Sequence, residues 1–524
     1  MKRDFSLLQE QQFDVLICGG GIYGAWTAYD AALRGLKVAI VEQADWASAT
    51  SSASSKLIHG GLRYLESYDF KLVKKALAER QLLLKIAPHR VWPLRFGVPV
   101  YADSRISRLQ LKLGLMLYDF LSASRDKKMR HRYFSHQEFS THFPLLDNTT
   151  LKGGFTYSDA QTDDARLVLE LISGAMAAGA VCVNYCKLDE IGERQAQTYT
   201  VKVSDQLDGI SAEVHARQIV YATGQWSAAA EESSAWCRVT KGVHLILPGS
   251  FKEEALLLTA KRDGRVFFII PWYGLTLIGT TDTDYTGDMQ QVKVDEEEVT
   301  YLLEAANHYL KKAWTRADVI NSYAGLRVMK RSDQSSPSAV SRDWELKTTT
   351  NGVHYSIGGK ITSAREDAAS IVDRVCAELG VDVPCASREH LLPWTPRQDY
   401  IEWTEATKVE AASLHIDSES TTWLMRRYGN RIAEVFREIE RDAASARRIA
   451  PAVPLIYADL LCSARSDMVV HLDDLLRRRM PLFFLNKFSL PELRLVADYA
   501  ATILGWDAGK VEREVAACAH YCPS

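Results

Sequence analysis

Residues 13–66 read FDVLICGGGIYGAWTAYDAALRGLKVAIVEQADWASATSSASSKLIHGGLRYLE and decide the fold. The run from Phe13 to Cys18 is short, apolar and partly β-branched, which is typical of a buried parallel strand. Gly19, Gly21 and Gly24 follow in the spacing G-x-G-x-x-G. The first glycine permits a tight turn, the second lets the backbone approach a pyrophosphate, and the third lets a helix lie close to the strand.

A helix, a second strand and an acid complete this unit. Residues 25–35 carry small and apolar side chains at helical spacing, and residues 37–41 predict the next strand. Glu42 ends that strand, 18 residues after Gly24, where a carboxylate can accept hydrogen bonds from a ribose. The helix N-terminus at residues 22–25 offers free N–H groups to phosphates. The sequence therefore predicts a dinucleotide site rather than a glycine-rich turn without a ligand.

A serine-rich turn favours FAD over NAD as the dinucleotide. Residues 47–55 (ASATSSASS) can hydrogen-bond a long diphosphate and ribityl chain. A flexible serine-rich linker is the alternative, but it fits poorly because an apolar, structured pattern begins at Lys56. GGGIYGAWTAYDAALRG and ATSSASSKLIHGGLRYLE resemble the N-terminal signature of the FAD-dependent, respiratory glycerol-3-phosphate dehydrogenases, which belong to the D-amino-acid-oxidase-like flavoproteins.

Composition sets the broad class of the protein. A chain of 524 residues is long enough for two or three domains, and its net charge of −3 gives no reason to expect nucleic acid as a partner. The nine cysteines are expected to be scattered reduced thiols, and no metal site is predicted. The N-terminus lacks the apolar core of a secretory signal, and no apolar run approaches a membrane-spanning length. We expect a cytoplasmic protein, peripherally associated with the cytoplasmic membrane.

The chain divides into three parts in our interpretation, and the fold class is α/β. The resemblance implies a Rossmann-like FAD-binding domain that is discontinuous, formed by residues 1–75, 151–225 and 326–390. Residues 76–150 and 226–325 are expected to form a mixed-sheet substrate domain. The two prolines of residues 391–400 indicate a linker, and residues 391–524 are assigned to an α-helical C-terminal domain, in which LDDLLRRRM (472–480) matches the family's signature.

Individual elements can be predicted from local patterns. A polar turn at residue 158 is expected to lead into an amphipathic helix that reaches residue 180. Six strands and three C-terminal helices are also predicted. The strands are Val181–Tyr185, Gln218–Tyr221, Val243–Leu247, Ala255–Leu258, Val266–Ile270 and Leu275–Ile278, and the helices are Arg426–Glu440, Leu455–Val470 and Leu490–Leu504.

The resemblance implies oxidation of glycerol 3-phosphate to dihydroxyacetone phosphate, with FAD as the hydride acceptor. Two arginines are expected to bind the substrate phosphate, because guanidinium forks match phosphate oxygens. These are Arg327 in SYAGLR and Arg342 in SSPSAVSRDWEL, whose contexts resemble the family's phosphate positions. Thr280 in GTTDTDY matches the family's substrate-contacting threonine.

Three residues are candidates for the catalytic groups. Arg63 in HGGLRYLE is expected to stabilise a developing alkoxide or the reduced flavin. His244 is the obvious titratable proton acceptor, and Lys360 in IGGKITSAR is expected at the flavin pyrimidine edge, where it stabilises negative charge or accepts the proton. The sequence leaves the choice among these three open, and His59 is interpreted as a structural member of its turn.

The predicted cofactor-binding residues come from the glycine-rich loop, the serine-rich turn and two later glycine turns. They are Gly19, Gly21, Gly24, Glu42, Ser51, Ser52, Ser54, Ser55, Lys56, Gly224, Gly358, Gly359, Lys360 and Thr362.

Two positions depart from the family pattern. Family members usually have proline after the phosphate arginine, where this chain has Val328. They also carry an aromatic residue before the arginine of the G-G-K run, where this chain has Ala364. Proline would fix the backbone beside Arg327, and the aromatic residue would pack under the flavin end. The loss of both is expected to affect the shape of the pocket and the substrate specificity.

The resemblance also favours electron delivery to ubiquinone or another quinone at the inner face of the membrane. Residues 105–132 are apolar in the middle and basic at both ends, which suits either a membrane-surface helix or a buried helix with solvated ends. Residues 477–485 (RRRMPLFFL) are a second membrane candidate. The assembly is left open, with a homodimer as one option.

Alternative functions stay open at this point. The same fold can send electrons to oxygen as a glycerol-3-phosphate oxidase, or oxidise another phosphorylated or acidic alcohol. A flavin-binding protein without turnover is the alternative from a different class. The joint presence of the candidate catalytic and phosphate-binding residues argues against it.

Overall fold

The computed structural model describes residues 1–66, 68–122, 126–229, 231–249, 254–331 and 343–522. The strands, in chain order, are β1 (Phe13–Cys18), β2 (Val38–Val41), β3 (Leu57–Ile58), β4 (Val91–Tyr101), β5 (Arg132–Phe134), β6 (Leu151–Thr162), β7 (Val181–Val183), β8 (Cys186–Ile191), β9 (Tyr199–Asp205), β10 (Ser211–Tyr221), β11 (Cys237–Leu247), β12 (Ala255–Thr259), β13 (Val266–Trp272), β14 (Leu275–Gly279), β15 (Thr283–Asp284), β16 (Asn321–Lys330), β17 (Trp344–Thr348) and β18 (His354–Gly358).

The α-helices are α1 (Ile22–Leu33), α2 (Phe70–Ile86), α3 (Arg108–Ser122), α4 (His136–His142), α5 (Asp164–Ala177), α6 (Glu296–Asn307), α7 (Ala364–Leu379), α8 (Tyr400–Ser413), α9 (Ser418–Tyr428), α10 (Ile432–Arg441), α11 (Tyr457–Ser466), α12 (Leu482–Leu485), α13 (Leu490–Leu504) and α14 (Ala508–Cys518). A π-helical turn covers Asp474–Arg479.

The first sheet has the strand order β17-β18-β10-β1-β2-β7. Strands β18, β10, β1, β2 and β7 run parallel, and β9 pairs antiparallel with β10 and β8 at one side. The buried residues of β1 enter two different cores. Val15 and Ile17 pack with helices α1, α5 and α7, whereas Phe13 and Leu16 pack with β8 and β9. Burial on both faces explains why β1 is a continuous apolar run.

The second sheet has the order β15-β11-β14-β13-β12-β4-β6-β3, and β16 extends it beside β11. Most pairs are antiparallel, but β12 and β4 run parallel, so the sheet is mixed. The predicted fold class is therefore confirmed: a Rossmann-like parallel sheet, a mixed sheet and a helical C-terminal region. The predicted domain boundaries stay a prediction.

Several predicted element boundaries were wrong. Residues 158–162 belong to β6 rather than to a turn, and the helix that follows is α5. The single helix predicted over Arg426–Glu440 is two helices, because Gly429 adopts φ +53 between α9 and α10. Helix α11 is shorter than predicted, whereas Leu490–Leu504 forms a helix as predicted.

Helix α3 exposes an apolar stripe. Leu115 and Tyr118 face the core, but four apolar side chains on the other side are 49–80% exposed: Leu109, Leu113, Met116 and Phe120. Their spacing of three to four residues places them on one face of the helix. A fully buried helix, one of the two interpretations of this segment, is therefore excluded. Among the described residues, no helix has the length and apolarity required to cross a membrane.

The second membrane candidate, residues 477–485, was wrong. The four side chains from Leu482 to Leu485 are at most 3% exposed and belong to the core that the mixed sheet shares with the C-terminal helices. Arg478 and Arg479 form buried ion pairs with Asp45. This segment joins the C-terminal region to the loop after Glu42 and is not available to a membrane.

Candidate active site

A cavity of about 790 Å³ is lined by residues from both sheets. It brings together most of the predicted site residues. Those that line it are Gly19, Gly21, Glu42, Ser51, Ser54, Ser55, Arg63, Gly224, His244, Thr280, Arg327, Gly358, Gly359, Lys360 and Thr362. Residues predicted to bind the cofactor and residues predicted to bind the substrate thus share one continuous space.

The glycine-rich loop has the geometry that a dinucleotide requires. Gly19 has φ +111, and a Cβ there would lie 2.5 Å from the carbonyl oxygen of Ala222. A Cβ at Gly24 would lie 1.8 Å from the carbonyl oxygen of Gly19, so Gly24 serves the close packing of α1 and does not line the cavity. Only glycine fits these positions, and the loop backbone is therefore open to a ligand.

Glu42 reaches the same loop from the end of β2. Its carboxylate accepts hydrogen bonds from the backbone N–H groups of Gly20 (2.6 Å) and Ala44 (2.9 Å). Burial raises the pKa of Glu42, while these two hydrogen bonds oppose the rise. The side chain is fixed where a ribose of a bound dinucleotide would meet it.

The serine-rich turn closes over the N-terminus of α1. The Ser51 hydroxyl accepts a hydrogen bond from the N–H of Ile22 (2.9 Å), and the Thr50 hydroxyl donates to the carbonyl of Leu326 (2.6 Å). Ser51 therefore lies beside the helix N-terminus, the position that favours a diphosphate. The buried Ser52 side chain does not line the cavity.

Lys56 lies behind the serine-rich turn and does not line the cavity, so its role as a cofactor contact stays a prediction. Its ammonium group is buried and donates to the Ser52 carbonyl and to Asp164, both at 2.7 Å. Three aromatic rings surround it at 5.2–5.9 Å: Trp272, Tyr323 and Phe484. This desolvated lysine fixes the shape of the turn through its backbone and through Asp164, which also accepts from Ser54.

A second glycine turn connects β18 to α7. Gly359 has φ +96, and a Cβ there would lie 1.7 Å from the Tyr23 hydroxyl oxygen. That hydroxyl accepts from the N–H of Lys360 (3.0 Å) and donates to Asp367 (2.7 Å). Tyr23 of α1 thereby sets the position of the Gly359–Lys360 backbone. No local pattern indicates this role for Tyr23, because its partner Lys360 is 337 residues away in the chain.

Arg327 of β16 also lines the cavity. Its guanidinium donates to the Thr280 hydroxyl (2.8 Å), to the Thr281 carbonyl (3.2 Å) and to Asp282 (3.3 Å). A Cβ at Gly242 on the adjacent strand would lie 2.1 Å from this guanidinium, so a glycine is required to make room for it. The structure thus joins the predicted substrate residues Thr280 and Arg327 directly.

His244 lies on β11 close to the serine-rich turn. Its Nε2 is 2.8 Å from the Ser55 hydroxyl, and its ring stacks on Tyr323 at 4.8 Å. Its Nδ1 is buried and has no hydrogen-bond partner among the described residues. Burial holds the pKa of His244 well below its ordinary value of 6.5, and the charges of Arg327 and Lys56 lower it further. The imidazole is therefore neutral at neutral pH.

Tyr64 joins the two remaining catalytic candidates. The ammonium nitrogen of Lys360 lies 4.2 Å from the centre of the Tyr64 ring, and the guanidinium carbon of Arg63 lies 5.0 Å from it. Tyr64 also lines the cavity, beside the backbone of Gly61 at φ +75. Tyr64 was not among the predicted site residues, although it stands next to Arg63 in HGGLRYLE.

The remaining predicted positions differ in their relation to the cavity. Arg342 lies outside the described residues, so its predicted role stays a prediction. Val328 lines the cavity beside Arg327, whereas Ala364 is fully buried at the start of α7 and does not line it. Of the two departures from the family pattern, only Val328 borders the candidate substrate space.

Comparisons with known proteins match nearly the whole chain. The model of a family described as FAD dependent oxidoreductase matches residues 14–365, and one described as the C-terminal domain of alpha-glycerophosphate oxidase matches residues 397–511. A glycerol-3-phosphate dehydrogenase of Synechocystis sp. is 33% identical, with 98% of this chain and 97% of the relative covered. The aerobic glycerol-3-phosphate dehydrogenase of Bacillus subtilis is 32% identical, with 97% and 94% covered.

Solved structures agree with these matches. The glycerol-3-phosphate dehydrogenase of Bacillus halodurans, complexed with FAD, has a TM-score of 0.78 and 27% identity, with 98% of this chain and 95% of that chain covered. The FAD-bound L-alpha-glycerophosphate oxidase of Mycoplasma pneumoniae has a TM-score of 0.57 and 18% identity, with 73% and 100% covered, which supports the fold alone.

Proposed function

This chain belongs to the family of FAD-dependent glycerol-3-phosphate dehydrogenases, and we propose that it oxidises sn-glycerol 3-phosphate to dihydroxyacetone phosphate and passes the electrons to a quinone. The observation that carries the proposal is the shared cavity. The glycine-rich loop, Glu42 and the Gly358–Gly359 turn line it together with His244 and Arg327. Residues suited to FAD and residues suited to a phosphorylated alcohol thus line the same cavity.

The chain's own residues fit FAD. Gly19, Gly21 and Ser51 would hold the diphosphate, Glu42 the ribose, and the Gly359–Lys360 backbone the flavin end, because all of these line the cavity. When bound, FAD accepts the hydride from carbon 2 of the substrate.

Arg327 is proposed to bind the substrate phosphate. Its guanidinium is anchored by Thr280 and Asp282, and the fork geometry of arginine matches phosphate oxygens. Arg342 is retained as a proposed second contact because of its sequence context alone. Both residues would orient the substrate relative to the flavin end of the cavity.

His244 is proposed to accept the proton of the substrate hydroxyl. It is neutral and buried, and its ring is held between Ser55 and Tyr323. A fixed neutral imidazole can take a proton without first losing one. Lys360 and Arg63 remain the alternatives, and their shared contact with Tyr64 suits them to stabilising negative charge.

The membrane and the quinone belong to the same proposal. Helix α3 presents its four exposed apolar side chains, and Arg105, Arg108 and Lys112 lie nearby in the sequence. An apolar stripe with basic flanks suits the interface of an anionic bilayer, where a quinone is dissolved. We therefore place the protein at the inner face of the cytoplasmic membrane as a peripheral protein.

Anaerobic reduction of the bound flavin tests the proposed reaction. The holoenzyme is mixed with sn-glycerol 3-phosphate without oxygen, and the flavin absorbance near 450 nm is followed. We expect bleaching, followed by recovery of the colour on addition of a short-chain ubiquinone analogue. A flavin that stays oxidised with glycerol 3-phosphate would refute the proposed substrate. Faster recovery with air than with the quinone, together with stoichiometric peroxide, would identify an oxidase instead.

A further inference from the structure

Arg265 lies in the turn between β12 and β13 and lines the same cavity as Arg327. Arg265 is partly buried, with a side-chain exposure of 30%, whereas its neighbour Arg262 is exposed and does not line this cavity. One of the turn's two arginines is thus directed towards the candidate site.

Asp282 links Arg265 to Arg327. The Nη1 of Arg265 donates to the backbone carbonyl of Asp282 (2.6 Å), and the carboxylate of Asp282 accepts from Nη1 of Arg327 (3.3 Å). Asp282 also lines the cavity, and its side chain is 8% exposed. Asp282 therefore holds both guanidinium groups at the wall of the cavity. Its backbone carbonyl binds Arg265, and its carboxylate binds Arg327.

The contacts that Arg265 makes with the described residues use its Nη1 and Nε, which leaves the guanidinium suited to binding an anion. Its Nε lies 3.3 Å from the carboxylate of Asp263, which faces solvent in part and also accepts from Tyr301. Neither this contact nor the bond to Asp282 involves Nη2. Because Asp263 is partly exposed and shared with Tyr301, its pairing with Arg265 is weak.

The charge of the substrate requires more than Arg327. A phosphate monoester carries nearly two negative charges at neutral pH. Arg327 is already paired with the well-buried carboxylate of Asp282, which offsets its charge. The guanidinium of Arg265, which is bound to the same Asp282, would restore the attraction for a dianion and add directed hydrogen bonds.

We propose that Arg265 is an additional arginine of the substrate phosphate subsite, beside Arg327 and the proposed contact Arg342, that it is aligned with Arg327 through Asp282, and that it determines the preference for phosphorylated over uncharged alcohols. This inference rests on the proposed function and deepens it. It makes Arg265 a substrate-binding residue and not a proton acceptor. Loss of its side chain should therefore affect binding of the phosphate and spare the chemical step.

The test uses the FAD-bound Arg265→Gln and Arg265→Lys variants, with Arg262→Gln as the matched control in the same turn. Inorganic phosphate is titrated into each protein, and the change in the flavin absorbance spectrum gives Kd. Arg327→Gln supplies the reference for a lost phosphate contact. We expect Arg265→Gln to weaken phosphate binding about 10- to 100-fold, which corresponds to one charge-assisted hydrogen bond. Arg265→Lys should lose less, and Arg262→Gln should match the wild type.

Kinetics give a second readout. In Arg265→Gln, KM for glycerol 3-phosphate should rise by a similar factor while kcat changes little, and kcat/KM for glycerol should stay the same. Wild-type phosphate affinity in the Arg265 variants, or an equal loss for glycerol, overturns the proposal, as does the absence of phosphate binding by the wild type. If glycerol 3-phosphate fails to bleach the wild-type flavin, the proposed function fails, but the phosphate titration still decides the role of Arg265.

Discussion

The carboxylate of Asp45, three residues after Glu42, forms a buried ion pair with the guanidinium of Arg479 in the π-helical turn of the C-terminal region. Arg478 of the same turn donates to Asp45 at 2.5 Å, and the Nδ2 of Asn184 does so at 3.2 Å. Burial alone would raise the pKa of Asp45, but the two arginine charges outweigh it and lower the pKa. The loop that follows the proposed ribose contact is thus fixed by residues more than 400 positions away.

Replacing Arg479 by methionine should therefore destabilise the protein and weaken FAD binding. The change leaves Asp45 buried with one fewer cation, and breaking a buried pair typically costs about 3–5 kcal/mol. We expect a lower Tm in thermal unfolding and a lower FAD content after purification. Arg494→Gln is the control, since it removes an exposed pair with Glu512, and it should change neither value much. Equal Tm values for the two variants would show that the Asp45 pair contributes little.

Gly359→Ala should weaken FAD binding more than it destabilises the fold. The new methyl group would lie 1.7 Å from the Tyr23 hydroxyl oxygen, so either Tyr23 or the Gly359–Lys360 backbone must move. Gly380→Ala is the matched control: it also has positive φ (+72), at the end of α7, but nothing lies within 4 Å of its Cβ. Both variants share the cost of about 1–2 kcal/mol for a left-handed non-glycine residue. FAD titration by fluorescence quenching should show weaker binding in Gly359→Ala alone.

The sequence was sufficient where the determinants are local. Strand β1 and helix α1 follow from the apolar run and the G-x-G-x-x-G spacing, and the structure has both. The sequence was insufficient where the interacting residues are far apart along the chain. Nothing near Lys56 indicates that Asp164 and three aromatic rings will bury it.

The break between α9 and α10 illustrates the same limit. The apolar periodicity of this segment predicted one helix, but a Cβ at Gly429 would lie 2.0 Å from the carbonyl oxygen of Trp394. The chain turns at Gly429 because the segment that contains Trp394 passes close to it. Local helix propensity carries no information about such a contact.

Helix α3 should provide the contact with lipid. Replacing Leu113 and Phe120, which are 57% and 80% exposed, by glutamate puts charge into the apolar stripe. In sedimentation with vesicles of phosphatidylglycerol and phosphatidylcholine, this variant should bind roughly tenfold more weakly or worse, since two apolar side chains no longer enter the interface. Ile401→Glu on α8, where the side chain is 73% exposed, is the control and should bind like the wild type. Similar losses in both variants would exclude α3 as the specific contact.

The depressed pKa of His244 predicts the acid side of the pH profile. A neutral imidazole is needed to accept the hydroxyl proton, and burial, with help from Arg327 and Lys56, keeps it neutral to a pH below its ordinary 6.5. As pH falls, kcat/KM for flavin reduction should therefore stay level through 6.5 and decline only at lower pH. A decline centred at 6.5 or above would mean that the group controlling the rate is not this buried histidine.

Substitution of His244 separates this role from a structural one. His244→Gln keeps the size and a hydrogen bond to Ser55, so we expect FAD and phosphate binding to persist while kcat falls about 10²- to 10⁴-fold. The decline of the rate at low pH, the acid limb of the profile, should be absent in His244→Gln. It should persist in His59→Gln, which replaces the other histidine that lines the cavity. If the limb survives in His244→Gln and is lost in Lys360→Met, the proton goes to Lys360. Stopped-flow measurement of flavin bleaching across pH distinguishes the two, because it isolates the reductive step from the later transfer to quinone.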